Sequence, residues 1–433
     1  MSFDDDLRAE VTDLLRRLVA CDTSNPPGNE VQAAAVIEDF VGPTLRCERI
    51  EKDPDRPNLI ATLPGRGDGP SLAFLGHLDV VQARRQDWSV DPFAGVERNG
   101  AVWGRGTVDM KCQVAATAVA LRTLAREGFE PAGDLMLILA ADEEVGDAGV
   151  GTPYLVSERS DLCPDYVVGE GAGERIPSSV GPLYLLDRGV KATAPVTLCV
   201  RGSAGDSSLP GMGSNAIGEV SRLMSRLGEH KFPVRILPEV EPLIDALAGP
   251  GGSAEERVER ARAAHPALDE LVGALTATVA RPTVLEAKGP ANVVAERAEV
   301  TMQCVVLPGV TKEDLEAELR EAFGPGDYEL EVDSPQGGLI SPTDTPLHNA
   351  IAEFLAEADP GAKLIPTLGY GFSDCHFLRE AYGSIAYGFI PFRHADPMTN
   401  LTTKHAVDER VLIDDLVFQT KAALAVARSI GAG

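Results

Sequence analysis

Asp134-Leu-Met-Leu-Ile-Leu-Ala-Ala-Asp-Glu-Glu-Val-Gly146 runs an unbroken apolar stretch into three consecutive carboxylates. Bounded by Asp at one end and Gly at the other, it reads as a buried strand with an acidic carboxyl end. Two further runs have the same form. Ser71–Val81 contains Gly76-His77-Leu78-Asp79, and Asp165–Val168 leads into Gly169-Glu170-Gly171. A helix is expected between the first two strands, roughly over Met110–Arg126. Buried strands interleaved with helices predict an α/β fold, with a mostly parallel sheet and helices on both faces. Such folds place their sites at the carboxyl ends of the strands, where these His, Asp and Glu residues fall.

Upstream, Leu7, Val11, Leu14, Leu15 and Leu18 repeat at helical spacing, and the turn-rich Asp22–Glu30 segment ends that helix. The pattern changes after about Asp187. A strand over Lys191–Arg201, a helix near Asn215–Leu227, a charged Ala-rich helical stretch over Leu237–Val279, strands near Thr283–Ala287 and Glu299–Leu307, and a helix over Lys312–Phe323 follow in turn. This βαββα-type run reads as an α+β domain inserted into the first one. Residues 1–187 and 311–433 then form the larger domain, and 188–310 the insertion. The α/β pattern returns with a helix over Pro346–Ala356, a strand over Ser384–Phe389 and a final helix over Leu412–Ser429.

Composition narrows the function classes. The chain has 433 residues, 44% hydrophobic and 24% charged, which suits two globular domains rather than a disordered or fibrous chain. Its 66 acidic and 39 basic residues give a net charge of −27, a surface that repels nucleic acid and anionic membranes. No apolar run approaches a membrane span. The acidic start, MSFDDDLRAE, lacks the basic and apolar regions of a signal peptide. Seven scattered cysteines without a CxxC pair argue against a disulfide framework, so a cytoplasmic location is expected.

Several motifs share one chemistry. A carboxylate two residues from His77 can fix the tautomer of the imidazole, although most buried His–Asp pairs are structural. In Trp103-Gly-Arg-Gly-Thr-Val-Asp109-Met-Lys111, glycines allow a sharp turn before Asp109, which by itself reads as a helix N-cap. Three carboxylates at Asp142–Glu144 cannot pack inward unless they are solvated or neutralised by cations. With Glu170 and the distant Lys404-His405-Ala-Val-Asp-Glu409, they form a set. His77, Asp109, Glu144, Glu170 and His405 are candidate ligands, and Glu143 is left free. Two histidines and three carboxylates suit two zinc-type ions, with one carboxylate bridging and a water between them. The free glutamate is then placed to deprotonate that water.

These motifs, in this order and spacing, resemble the metallohydrolase family of aminoacylase, acetylornithine deacetylase, succinyl-diaminopimelate desuccinylase and glutamate carboxypeptidase. The resemblance covers nearly the whole chain, from Asp22–Glu30 through Gly76–Asp79, Gly104–Lys111, Asp142–Gly146 and Asn292-Val-Val294 to His405–Glu409. It implies a hydrolase that cuts the amide bond of a dipeptide or N-acyl amino acid, of carboxypeptidase, dipeptidase or aminoacylase type. The two divalent ions would be zinc, or cobalt or manganese in its place. Asp109 would bridge them before a cis peptide, Glu143 would be the general base, and Asp79 would orient His77. The inserted domain would be a lid that also forms a homodimer. Asn292 and a glycine-rich loop at Gly371–Asp374 would face the substrate.

Two positions depart from the family pattern. Asp206, in Gly202-Ser-Ala-Gly-Asp206, stands where the family has a lid histidine that donates to the oxyanion, and a carboxylate can only accept. Val305 stands where many relatives have an arginine that clamps the substrate carboxylate. Arg188, Arg297, Lys363 and Arg393 are candidate replacements for the arginine, and His376 or His394 for the histidine. The alternatives implied are a metal-binding relative with weak or lost catalysis, or a hydrolase repurposed for an unusual amide.

Overall fold

The computed structural model describes residues 3–433. Its larger sheet has nine strands. Eight run in the order Arg46–Ile50, Asn58–Leu63, Leu135–Ala140, Leu72–His77, Tyr166–Gly169, Ile385–Gly388, Leu183–Val190 and Lys363–Gly369, and the short Arg175–Ile176 strand pairs with Leu183–Val190. The centre, from Leu135–Ala140 to Ile385–Gly388, is parallel, and antiparallel pairs flank it. Side chains alternate between two apolar layers, as strand geometry requires. Leu72 and Phe74 face the layer built with helices Phe3–Val19, Val31–Val41, Lys111–Arg126, Pro346–Ala358 and Ile413–Gly431. Ala73 and Leu75 face the opposite layer, with helices Thr152–Glu158 and Cys375–Tyr382. The α/β class read from the sequence is the fold observed.

A second, antiparallel sheet orders Val279–Glu286, Arg297–Val306, Ala192–Arg201 and Tyr328–Val332, and Gln336–Gly337 also pairs with Ala192–Arg201. Val196, Leu198, Val300 and Met302 on its inner face pack against helices Ala216–Glu229 and Lys312–Phe323. Two assignments differ from the sequence reading. The helix 312–323 and the strand 328–332 share this smaller core, so a boundary at residue 310 cuts through it. The helices Glu241–Ala248, Ala254–Arg262 and Pro266–Thr276, placed by sequence in the insertion, bury Leu243, Leu268, Leu271 and Leu275 against Leu183, Leu185 and Leu368 of the larger sheet. Chain order could not reveal this, because the helices follow the small sheet's elements in sequence but meet the other sheet in space.

The crossing from one sheet to the other runs through Lys191, which is 0% exposed. Its ammonium donates to the main-chain oxygens of Ala274 and Ala277, at 2.6 and 2.7 Å, where helix Pro266–Thr276 ends. Basic groups suit helix C-termini, whose last carbonyls lack partners. All seven cysteines are free, and among the described residues no helix is long and apolar enough to cross a membrane.

Burial lowers the pKa of Lys191 from 10.5 to about 8. Between these values the unfolded chain holds more protons than the folded one, so this residue makes stability rise with pH across that window. Urea unfolding at pH 8 and pH 10 should show a smaller rise for Lys191→Met than for the parent. An equal rise would mean that the buried ammonium does not titrate with folding.

Candidate metal centre

His77 is the last residue of the Leu72–His77 strand, and Glu143 and Glu144 follow strand Leu135–Ala140. Glu170 follows strand Tyr166–Gly169. Parallel pairing brings these strand ends together, as expected at the carboxyl edge of an α/β sheet. Asp109 enters from the loop after the Ala101–Trp103 strand, and the peptide that follows it is cis. His405 comes from the segment after helix Pro397–Thr403.

Asp109 sits between the two histidines. Its Oδ1 lies 3.1 Å from His77 Nε2, and its Oδ2 lies 3.0 Å from His405 Nε2. His405 Nε2 is also 3.1 Å from Glu144 Oε2. On the other side, His77 Nε2 is 3.9 Å from both Glu143 and Glu170. His77, Asp109 and Glu144 form one group whose ligand atoms all lie within 4.8 Å, and His77, Glu143 and Glu170 form another.

The donor set fits divalent cations. Imidazole nitrogens and carboxylate oxygens 3.0–3.1 Å apart are close to the spacing of about 3.3 Å between two donors of one tetrahedral ion at about 2 Å. Glu144 Oε1 is buried without a hydrogen-bond partner. The acids also crowd one another. Burial, and then the neighbouring charge of Glu170, pushes the Glu143 carboxyl well above its usual range. Burial and Asp109 raise Glu170, and burial raises Asp374 to about 7. Burial opposes charge on His77, but its hydrogen bonds to Asp109 and Asp79 prevail and hold it well above the usual histidine range. A group of acids held against their own ionisation is a site arranged for positive charge.

The surrounding shell is built from carboxylates that accept main-chain N–H groups. Asp79 accepts from Glu143 N and Glu144 N, both at 3.1 Å, and from Asn25 Nδ2 at 2.9 Å. The strand stops at His77, and the His77 Nδ1 contact goes to the main-chain oxygen of Asp79 at 3.0 Å, with the carboxylate farther away at 3.6 Å. Asp79 therefore faces His77 with both its main-chain oxygen and its carboxylate, and the same carboxylate positions the two glutamates. Glu409, fully buried, accepts from Gly106, Val108 and Asp109 and pairs with Arg105 at 2.5 Å.

The residues expected to face the substrate are divided. Gly371 lines a recess with Glu170, Asp187 and Tyr370 beside the cluster. Asp206 and Asn292 lie together on exposed loops of the smaller sheet, where Asp206 bridges to Val293 and Ser207 N donates to Asn292 O. Asp206 Oδ1 is taken up by Ser208, from its N–H at 2.9 Å and its hydroxyl at 2.8 Å. No hydrogen bond or ion pair among the described residues joins either one to the His77–Asp109 cluster. Sequence reading missed Lys404, whose Nζ is 2.9 Å from Asp109 Oδ2. The available signal was its position directly before His405. It also missed Asn25, Glu30 and Arg56. Asn25 Nδ2 donates to Asp142 Oδ1 at 2.9 Å, and Glu30 pairs with Arg56 at 2.6 Å.

The profile of the peptidase family M20/M25/M40 matches residues 73–429, most of the chain and nearly all of this site. The chain belongs to that family. Membership of this family makes it a metal-dependent hydrolase. It is 29% identical over 377 residues to the succinyl-diaminopimelate desuccinylase of Methylobacterium sp. (strain 4-46), covering 84% of this chain and 81% of that enzyme. The likeness to the succinyl-diaminopimelate desuccinylase of Parvibaculum lavamentivorans is 33% over 228 residues, spanning 50% of this chain and about half, 54%, of that enzyme. In shape the chain resembles human carnosine dipeptidase 1, with a TM-score of 0.75 and 17% identity over 100% of this chain and 98% of that one. It also resembles the M20 metallo-carboxypeptidase Sso-CP2 of Sulfolobus solfataricus, with a TM-score of 0.70 and 18% identity over 100% of both. At these identities the structural likeness speaks for the fold.

Glu409→Gln should leave Arg105 unpaired and turn an amide N–H₂ toward main-chain N–H groups. Loss of about 3–5 kcal/mol of stability is expected from breaking such a buried pair. Metal affinity should fall about 10- to 100-fold with the loss of a group that positions a ligand. Urea unfolding and zinc titration of the variant check both; parent-like values in each would show that Glu409 does not hold the Asp109 loop.

Proposed function

We propose that the chain is a two-metal hydrolase that cleaves an amide bond in a small dipeptide or N-acyl amino acid. The observation that carries this reading is Asp109, which presents one carboxylate oxygen to each of two histidines, with Glu143 beside them. His77, Asp109 and Glu170 would hold one ion, and Asp109, Glu144 and His405 the other. Zinc is the expected metal, with cobalt or manganese able to replace it. Bound there, the ions would polarise the scissile carbonyl and make a water easier to deprotonate. Glu143 takes the proton of the attacking water and passes it to the leaving amine. A proton-holding role suits a carboxyl that burial and neighbouring acids raise. Asp79 fixes the backbone of Glu143, so that its carboxylate approaches from one side.

The smaller sheet is read as a lid and dimer surface. Its edge strand Val279–Glu286 exposes Val284 and Leu285, and the adjoining loops expose Leu209, Met212 and Val293. An apolar, unpaired strand edge is suited to a second copy of the chain. Asp206 and Asn292 lie on the same loops and would reach substrate only when this unit closes. The free cysteines agree with a reducing cytoplasm.

Metal analysis after loading should find close to two ions per chain. Glu143→Gln should keep them and lower turnover by about 10²- to 10⁴-fold, the usual contribution of a general base. The assay is a panel of dipeptides and N-acyl amino acids with zinc, cobalt or manganese. A metal content near zero would sink the two-ion reading. A Glu143→Gln enzyme with parent-like turnover would remove Glu143 from the chemistry.

A further inference from the structure

We propose that Lys404 is the carboxylate-binding residue of this chain. On this assignment, which rests on the hydrolase reading above, its ammonium holds the substrate's free carboxylate.

Val305 lies within strand Arg297–Val306, paired to Thr193 and Val279, and offers no cation. Each arginine that could replace it is already engaged. Arg188 donates to the main-chain oxygen of Ser341, Arg297 pairs with Glu299, and Arg393 faces Asp359 at 3.8 Å. Lys363 is exposed on the strand at the end of the sheet. Among the described residues, Lys404 is the cation that lines both recesses next to Asp109 and Glu170. Its side chain is 34% exposed, so it is neither sealed in the core nor free in solvent.

The recess that Asp109 lines has Leu185, Leu271, Leu275 and Phe392 in its walls and Tyr370 beside the ammonium. An apolar pocket with one charge near the reacting centre suits an amino-acid residue with an apolar side chain and a free carboxylate. Lys404 Nζ lies 2.9 Å from Asp109 Oδ2, an oxygen that His405 also faces. A divalent ion on that oxygen takes over its charge and repels the ammonium, so the lysine must turn away. The recess is the open space beside it. Glu174 and Asp187 share this wall and compete for the ammonium, although the Asp187 carboxylate already accepts from Ala172 N at 2.9 Å.

The test compares N-acetyl-leucine with N-acetyl-leucinamide, which differ only in the carboxylate, on cobalt-loaded parent, Lys404→Met and Lys404→Arg. Calorimetric binding and hydrolysis are both measured. The parent should bind the acid more tightly than the amide. Lys404→Met should weaken the acid alone by about tenfold, the loss of one charge-assisted hydrogen bond, and Lys404→Arg should keep most of the preference. In zinc titrations of the metal-free protein, Lys404→Met should bind more tightly than the parent, because no ammonium has to be displaced. Equal weakening of acid and amide, no weakening, or no acid binding by the parent would overturn the assignment. An intact acid preference without hydrolysis would count against the hydrolase reading alone. Hydrolysis with the acid-to-amide ratio unchanged in Lys404→Met would count against Lys404 alone.

Discussion

The buried carboxylate of Glu409 joins two segments about 300 residues apart and sets where Asp109 can be. An ionised acid in the core is costly unless it is fully engaged. Here three main-chain N–H groups and the Arg105 guanidinium surround it. The same guanidinium donates to the main-chain oxygen of Ala406, one residue past His405. One arginine–glutamate pair thus places the proposed bridging carboxylate and the histidine that faces it. Neither can move without disturbing the other, so the site depends on completion of the whole fold.

Asp79 plays the corresponding part on the other side, holding the backbones of Glu143 and Glu144 while its carbonyl meets His77. Both supporting carboxylates are satisfied by donors that cannot leave. Beside them, Glu143, Glu170 and Asp374 are all pushed toward their protonated forms, chiefly by burial. The scaffold therefore holds repulsion at one point on the sheet edge. Cations bound there would relieve it, and metal binding and folding stability are thermodynamically linked.

The strand ends were readable because each combined an unbroken apolar run with a polar terminus: Leu72–His77 and Leu135–Ala140 lie inside the segments expected, and Tyr166–Gly169 runs one residue past Asp165–Val168. Their convergence followed from the parallel sheet, which is why His77, Glu143, Glu144 and Glu170 could be grouped before any coordinates. Asp109 and His405 could be joined to them only through the family resemblance and the donor count, since both arrive on loops. The strand Arg46–Ile50 is hidden by its charged residues, and Asn58–Leu63, although largely apolar and buried throughout, lacks the acidic or histidine terminus that marks the other three. Lys404 escaped because a lysine beside a histidine has no periodic signature. Its meaning comes from a contact across about 300 residues.

The helices 241–276 alter how the small sheet can move. Chain order alone suggests a lid hanging from two connections, but these helices leave the small sheet, pack on Leu183, Leu185 and Leu368, and then return to it at Val279. Lys191 in the first connection is bonded to the end of that same helical group. Any closure must therefore turn the sheet about a point already fastened to the larger domain, or detach an apolar layer to do so. The first route would bend the segments that join the two sheets, around Lys191, Ala277 and Gly337. The second exposes buried leucines, each worth about 1.5–3 kcal/mol. The geometry thus favours a small rotation over a wide swing. Because Leu271 and Leu275 also line the recess beside Lys404, the helices that fasten the small sheet to the larger domain also shape that recess.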